Sequence, residues 1–164
     1  MAIISHYRKY VFIHVPRTGG HSAYAMLGGK TAGALHQPRF QIDHDYYSFG
    51  FIRNPWDRMY SVYRRQRVMP KYQSMSFKKY LLELNNEIKA SAMWFLDGCD
   101  FIGRYENLQS DWRTIQATLG MEPKTLPRLN RCGDADYQNH YDNELIDYVA
   151  LHHKRDIEYG GYVF

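Results

Sequence analysis

Cysteine is scarce: only Cys99 and Cys132 occur in 164 residues. Neither belongs to a CxxC pair or stands near two histidines, which excludes a disulfide framework and a cysteine-based zinc centre as organising features. Long hydrophobic runs are missing too. No stretch reaches the roughly 18 apolar residues that a membrane span requires, and no charged region with an apolar run and a small-residue cleavage site stands near the N-terminus. The expectation is a cytoplasmic protein with no membrane span. Internal repeats, low-complexity segments and Ser/Pro-rich linkers are likewise absent, so the length is read as one domain spanning 1–164. Charge of one sign is in small excess, 21 Lys plus Arg against 17 Asp plus Glu, for a net charge of +4. That excess, with a pI near 9.0, suits an anionic ligand. No recognisable RNA- or DNA-binding motif accompanies it, so no nucleic-acid partner is expected.

What is present is the material of a packed core. Hydrophobic residues make up 45% and charged residues 23%, a profile that folds rather than remaining disordered. Tyrosine is abundant, with 15 residues, and its scatter over the predicted strands and helices reads as packing rather than base stacking. Residues 10–15 form a buried strand candidate that ends at Pro16, and His21 to Leu27 can begin a helix. The pattern repeats with "YYSFGFIR" at 46–53, followed by "NPWDR". There Asn54 suits a helix cap, Pro55 the first helical position, and Asp57 the positive helix end. Phe77, Tyr80, Leu81, Leu84 and Ile88 fall on one helical face, as do Leu108, Trp112, Ile115 and Leu119. "DFIGRYE" is a strand candidate, and Ile146, Val149, Ala150, His153 and Ile157 give a closing helix. Strands alternating with helices predict an α/β fold with a mainly parallel central sheet. The Gly-containing stretch 28–39 and the turn-rich stretch 120–139 are expected to be the loosest parts.

The loop "PRTGGHS" at 16–22 carries the chemistry. A strand that runs into a glycine turn and then a helix aims backbone N–H groups and the positive end of a helix dipole at one point, where an anion is favoured. Arg17 adds charge, Thr18 and Ser22 add hydroxyls, and Gly19 and Gly20 allow close approach. A plain capped Pro-Gly turn is the alternative. "GGKT" at 28–31 is not a GxxxxGK[ST] loop, since Tyr24 stands where the first glycine is required. A second anion site is suggested by Arg53 at a strand end and Ser61 inside the helix that Asn54 and Pro55 begin.

Together these segments carry a family resemblance. "FIHVPRTGGHS" resembles the 5′-phosphosulfate loop of sulfotransferases that use 3′-phosphoadenosine 5′-phosphosulfate (PAPS), and "RNPWDRMYSVY" resembles their 3′-phosphate motif. "FIGRYENLQSDW" and "LPRLN" are similar to later segments of the carbohydrate-type branch, which includes the heparan sulfate and chondroitin enzymes. The resemblance implies a P-loop-NTPase-like three-layer sandwich with PAPS as donor and no metal. It also implies transfer of the sulfuryl group to an acceptor hydroxyl, a small-molecule or glycan one and carbohydrate by preference. Residues 17 to 22, namely Arg17, Thr18, Gly19, Gly20, His21 and Ser22, would hold the 5′ group, and Arg53 and Ser61 the 3′-phosphate. His36 is the candidate general base, with His44 as its nearest rival. Two positions depart from the family: Arg17 stands where lysine is usual, and His21 where threonine is usual. Arginine keeps the charge but does not readily give up a proton. His21 either contacts the anion through its ring or simply begins the helix with its backbone N–H facing the anion. The alternative to an enzyme is a non-catalytic PAPS/PAP-binding module of the same fold.

Overall fold

The computed structural model describes residues 2–27, 31–32, 37–83, 89–127, 129 and 136–164. These residues form an α/β protein in two compact units. The first comprises Met1–Ile52 and Ala92–Asn130, and the second Arg53–Ser91 and Arg131–Phe164.

The first unit is built on a five-stranded sheet of order β3-β1-β2-β4-β5. Its strands are β1 (Ala2–Ser5), β2 (Tyr10–Ile13), β3 (Thr31–Ala32), β4 (Tyr47–Ile52) and β5 (Phe101–Arg104). The expected mainly parallel sheet is instead mixed. β2 pairs β4 and β4 pairs β5 in parallel, but β1 runs antiparallel to both β2 and β3. The β1–β2 hairpin escapes a sequence reading because its turn, His6 to Lys9, contains no glycine, asparagine or aspartate. Lys9 itself takes the left-handed conformation, with φ 55°.

Every residue of β2 is buried, and β4 is buried after its first residue, so helices must cover both faces. Phe12, Phe49 and Phe51 form one core with Ala23 of α1 (Gly20–Leu27) and with Trp112 and Ile115 of α5 (Leu108–Thr118). On the other face, Leu96 of α4 (Ala92–Leu96) lies against Gly50. Residues 121–127, expected to be loose, are pinned to α5 by its side chains. Gln109 brackets Leu126 with two backbone hydrogen bonds of 3.0 and 3.1 Å. Gln116 donates to the Glu122 carbonyl and accepts from the Lys124 N–H. Trp112 donates its indole N–H to the Lys124 carbonyl at 3.0 Å.

The second unit is helical: α2 (Pro55–Gln66), α3 (Phe77–Glu83), α6 (Asn143–His152) and α7 (Lys154–Gly160). Trp56, Met59, Tyr60 and Tyr63 of α2, Phe77, Tyr80 and Leu81 of α3, and Leu145 and Val149 of α6 share its core. Leu84 and Ile88, expected on the α3 face, lie outside the described residues. The single closing helix expected from periodicity is two helices broken at His153, whose φ of −118° and ψ of 25° depart from helical values.

Candidate functional site

The β2 strand ends at Ile13, and the chain then turns through Pro16, Arg17, Thr18 and Gly19 into α1. Both Arg17 (φ 69°) and Gly19 (φ 83°) are left-handed, whereas Pro16 and Thr18 are not. Alternation of this kind is the backbone pattern from which anion-binding nests are built. For arginine it is also strained, by roughly 1–3 kcal/mol, and surrounding contacts hold it. Thr18 is completely buried and donates its hydroxyl proton to the Val15 carbonyl at 2.9 Å. Its hydroxyl therefore braces the loop from within. The Gly19 carbonyl accepts from the N–H groups of Ser22 and Ala23 at 2.9 and 3.4 Å, which starts α1. Ser22 is buried, and its Oγ accepts from the Leu129 N–H at 3.3 Å, tying that segment to the helix start.

His14, within the strand candidate at 10–15, is buried as a core histidine. It follows β2 on the side of Phe12, on which its ring stacks at 6.3 Å and 21°. A Cβ on Gly20 would fall on the His14 ring, so only glycine lets α1 settle over it. His21, exposed in the first turn of α1, sets its imidazole against His14 edge to face, with centroids 5.3 Å apart and planes at 90°. Two histidines thus border the glycine loop.

Arg53 follows β4 directly and belongs to the second unit with Ser61. Its Nε and Nη2 each donate to an Asp57 carboxylate oxygen at 2.7 Å. This bidentate pair fixes the guanidinium plane, and an anion reaching Arg53 shares it with Asp57. The sequence assigned Asp57 only to the helix dipole; its i,i+4 spacing from Arg53 was the available signal. Asn54 caps α2 as expected, its side-chain oxygen accepting from the N–H of Trp56 at 3.1 Å and of Asp57 at 3.5 Å. Ser61 is buried in the same helix. Trp56 is core, donating its indole N–H to the Ile146 carbonyl at 3.1 Å.

His36, the candidate base, lies outside the described residues, as does Cys132. His44 stacks on Tyr46 at 4.9 Å and meets His6 of the β1–β2 turn at 5.3 Å. That is the edge of the sheet where β2 and β4 begin, opposite the one where β2 enters the glycine loop, so His44 does not border that loop. His153 is buried, with its Nδ1 3.3 Å from Asp156, as suits a core histidine. Cys99 is partly buried, and that burial pushes its thiol up to about 12. Among the described residues no group of three or more His, Cys, Asp or Glu side chains is placed to hold a metal ion. No helix among them is long and apolar enough to cross a membrane.

Comparison with known proteins adds little. The chain matches no protein-family profile and no solved structure. It is 26% identical over 109 residues to an uncharacterized protein of Archaeoglobus fulgidus, a match that spans 57% of this chain and 83% of that protein.

Proposed function

We propose that this protein is a PAPS-dependent sulfotransferase with a P-loop-like three-layer sandwich fold, acting on an acceptor hydroxyl of carbohydrate type. The observation that carries the reading is the loop from Pro16 to Gly20, with left-handed residues at Arg17 and Gly19, running from the central strand β2 into a helix N-terminus. Such a loop suits the 5′-phosphosulfate, and the family resemblance assigns the 3′-phosphate to Arg53 and Ser61. Sulfuryl transfer resembles phosphoryl transfer in its loose transition state, so alignment and charge compensation supply most of the catalysis. In that reaction the acceptor oxygen forms a bond to sulfur while the sulfur–oxygen bond to the 5′-phosphate breaks. The electron pair stays on the phosphate, and the hydroxyl proton passes to a base, a role His36 would fill. Arg17 in place of lysine supports a second reading, a module that binds the nucleotide without turnover.

The test is ligand discrimination. Adenosine 3′,5′-bisphosphate at about 100 times its Kd should stabilise the protein by roughly 2.7 kcal/mol, raising Tm by about 5–10 °C for a chain of this length. AMP, which lacks the 3′-phosphate, should raise it much less. Arg53→Ala should remove most of the difference, since a charge-assisted contact contributes about 1.5–3 kcal/mol, and Ser61→Ala a smaller part. Equal shifts from the two nucleotides would refute the 3′-phosphate site. Turnover of PAPS with any acceptor separates the enzyme from the binding module.

A further inference from the structure

Between Asp57 and Glu83 the chain carries no carboxylate, and this stretch includes the connection from α2 to α3. Arg64 and Arg65 stand in the last turn of α2, Arg67 caps it, and Lys71 lies in the 3₁₀ turn Pro70–Tyr72. Among the described residues Arg65, Arg67 and Lys71 meet no carboxylate at ion-pair distance, whereas Lys78 pairs with Asp142 and Glu144, and Lys79 with Glu83. Between these cations Val68, Met69 and Pro70 are three consecutive exposed apolar residues, Val68 at 68% and Met69 at 45%. Tyr72 and Met75 of the same connection instead pack on the helical core. The connection is ordered by its own hydrogen bonds. The Tyr63 hydroxyl donates to the Met75 carbonyl at 2.8 Å, Arg67 Nη2 to the Gln73 carbonyl at 3.3 Å, and the Met69 and Tyr72 N–H groups to the Gln66 and Met69 carbonyls, each at 2.9 Å. Val68 and Met69 are therefore presented by a fixed turn. The dipole of α2 accounts for basic residues at its end. It does not account for Lys71 or for a run of exposed apolar residues, which a water-facing surface ordinarily avoids.

We propose that the α2–α3 connection, residues 64–72, docks the protein reversibly on an anionic lipid surface. Val68 and Met69 enter the boundary of the acyl chains, and Arg64, Arg65, Arg67 and Lys71 lie at the headgroup phosphates. Charge complementarity and the apolar tip together select this partner. A polyanion in water, whether nucleic acid or acidic glycan, takes the cations but leaves Val68 and Met69 wet. An anionic bilayer takes both, because basic side chains reach its headgroups while apolar neighbours lie in its margin. Lys71 Nζ lies 4.5 Å from the centre of the Tyr72 ring, and a half-buried tyrosine beside such a tip suits the headgroup level. Docking of this kind is independent of the donor and acceptor of any reaction.

Sedimentation of the full chain with lipid vesicles is the test. Phosphatidylcholine vesicles containing about 30% phosphatidylserine should carry the protein down, phosphatidylcholine alone should not, and added salt should weaken the binding. Arg65→Gln and Lys71→Gln should each lower the partition coefficient by about five-fold. The double variant Val68→Ser with Met69→Ser should lower it by about ten-fold, through apolar area returned to water. Lys154→Gln, an equal change of charge in α7 at a lysine paired with Glu158, should have little effect. All of these side chains are exposed, so thermal melting should be unchanged in each variant. Val68→Trp gives a separate readout: its added emission, relative to wild type, should be quenched by lipids with brominated acyl chains. Anionic vesicles that bind the serine double variant as well as the wild type, or an absence of quenching in Val68→Trp, would overturn the docking. Failure to bind anionic vesicles, with binding to heparin or an oligonucleotide that Arg65→Gln weakens and the serine double variant does not, would assign the connection to a soluble polyanion instead.

Discussion

Gly20 shows how a single missing side chain sets the glycine loop. The His14 ring occupies the space a Gly20 Cβ would need, and His14 is in turn stacked on Phe12. An added methyl must displace a ring that is packed on both sides. Gly20→Ala should therefore cost about 1–3 kcal/mol, as overpacking does, and lower Tm by roughly 2–12 °C. In a His14→Ala background the same change should cost far less, because the two residues share one space. Additive losses in thermal melts of the single and double variants would show that the contact is not the cause. Gly19 is constrained differently: its φ of 83° is left-handed, and a Cβ there would sit 2.8 Å from Leu108.

Helix α2 begins where its sequence says it should, and its cap serves two purposes. The Asn54 oxygen takes the N–H groups of Trp56 and Asp57, while its Nδ2 donates to the Val163 carbonyl at 3.0 Å, fastening the last residues of the chain to the helix start. Asn54→Ala removes both and should cost about 0.5–2 kcal/mol through the cap, a fall in Tm of roughly 1–8 °C. Asn54→Asp keeps the cap oxygen but not the Nδ2 donor, so it should recover most of that loss. Melting followed by far-UV circular dichroism separates the two. If the aspartate variant melts with the alanine one, the bond to Val163 outweighs the cap.

Molecule-wide, stability depends on a charge buried in the second unit. Arg58 is fully buried, which lowers it to about 10, and the Asp156 charge offsets part of that penalty. Its Nη2 donates to the Ala90 carbonyl. Asp156, buried as well, accepts from the Ser91 hydroxyl at 2.5 Å and faces His153 Nδ1 at 3.3 Å. Asp156→Asn removes a charge that offsets the burial of Arg58 and weakens the contacts with Ser91 and His153, and should destabilise by about 1–3 kcal/mol. His153 gives the pH dependence. Burial pushes its pKa below the ordinary 6.5, Asp156 opposes that through its hydrogen bond, and the Arg58 charge adds to it. The folded state then holds fewer protons than the unfolded chain between its lowered pKa and about 6.5. Stability should fall as pH drops through that window and level off below it. Urea midpoints between pH 7.5 and 5.5 should show this slope in the wild type and a flatter one in His153→Gln. An unchanged slope in the variant would assign the dependence to other groups.

Local chemistry was legible in the sequence wherever neighbours along the chain decide it. The Asn54 cap, Pro55 at the first turn of α2, the burial of Tyr10 to Ile13 and the α5 face with Trp112 and Ile115 all follow from residue type and spacing. The loop "PRTGGHS" announced a strand-to-helix turn for the same reason. Tertiary structure alone decided the rest. The antiparallel β1 depends on a turn without a turn signal, and the spent Thr18 proton on the Val15 carbonyl. The Arg53–Asp57 bidentate pair was implied by spacing but fixed only by the folded backbone. The pairing of His14 with His21 arises because α1 folds back over β2 with no side chain at Gly20 between them. Propensity and capping act over a few residues, whereas packing and charge burial depend on which segments meet, and only the folded chain determines that.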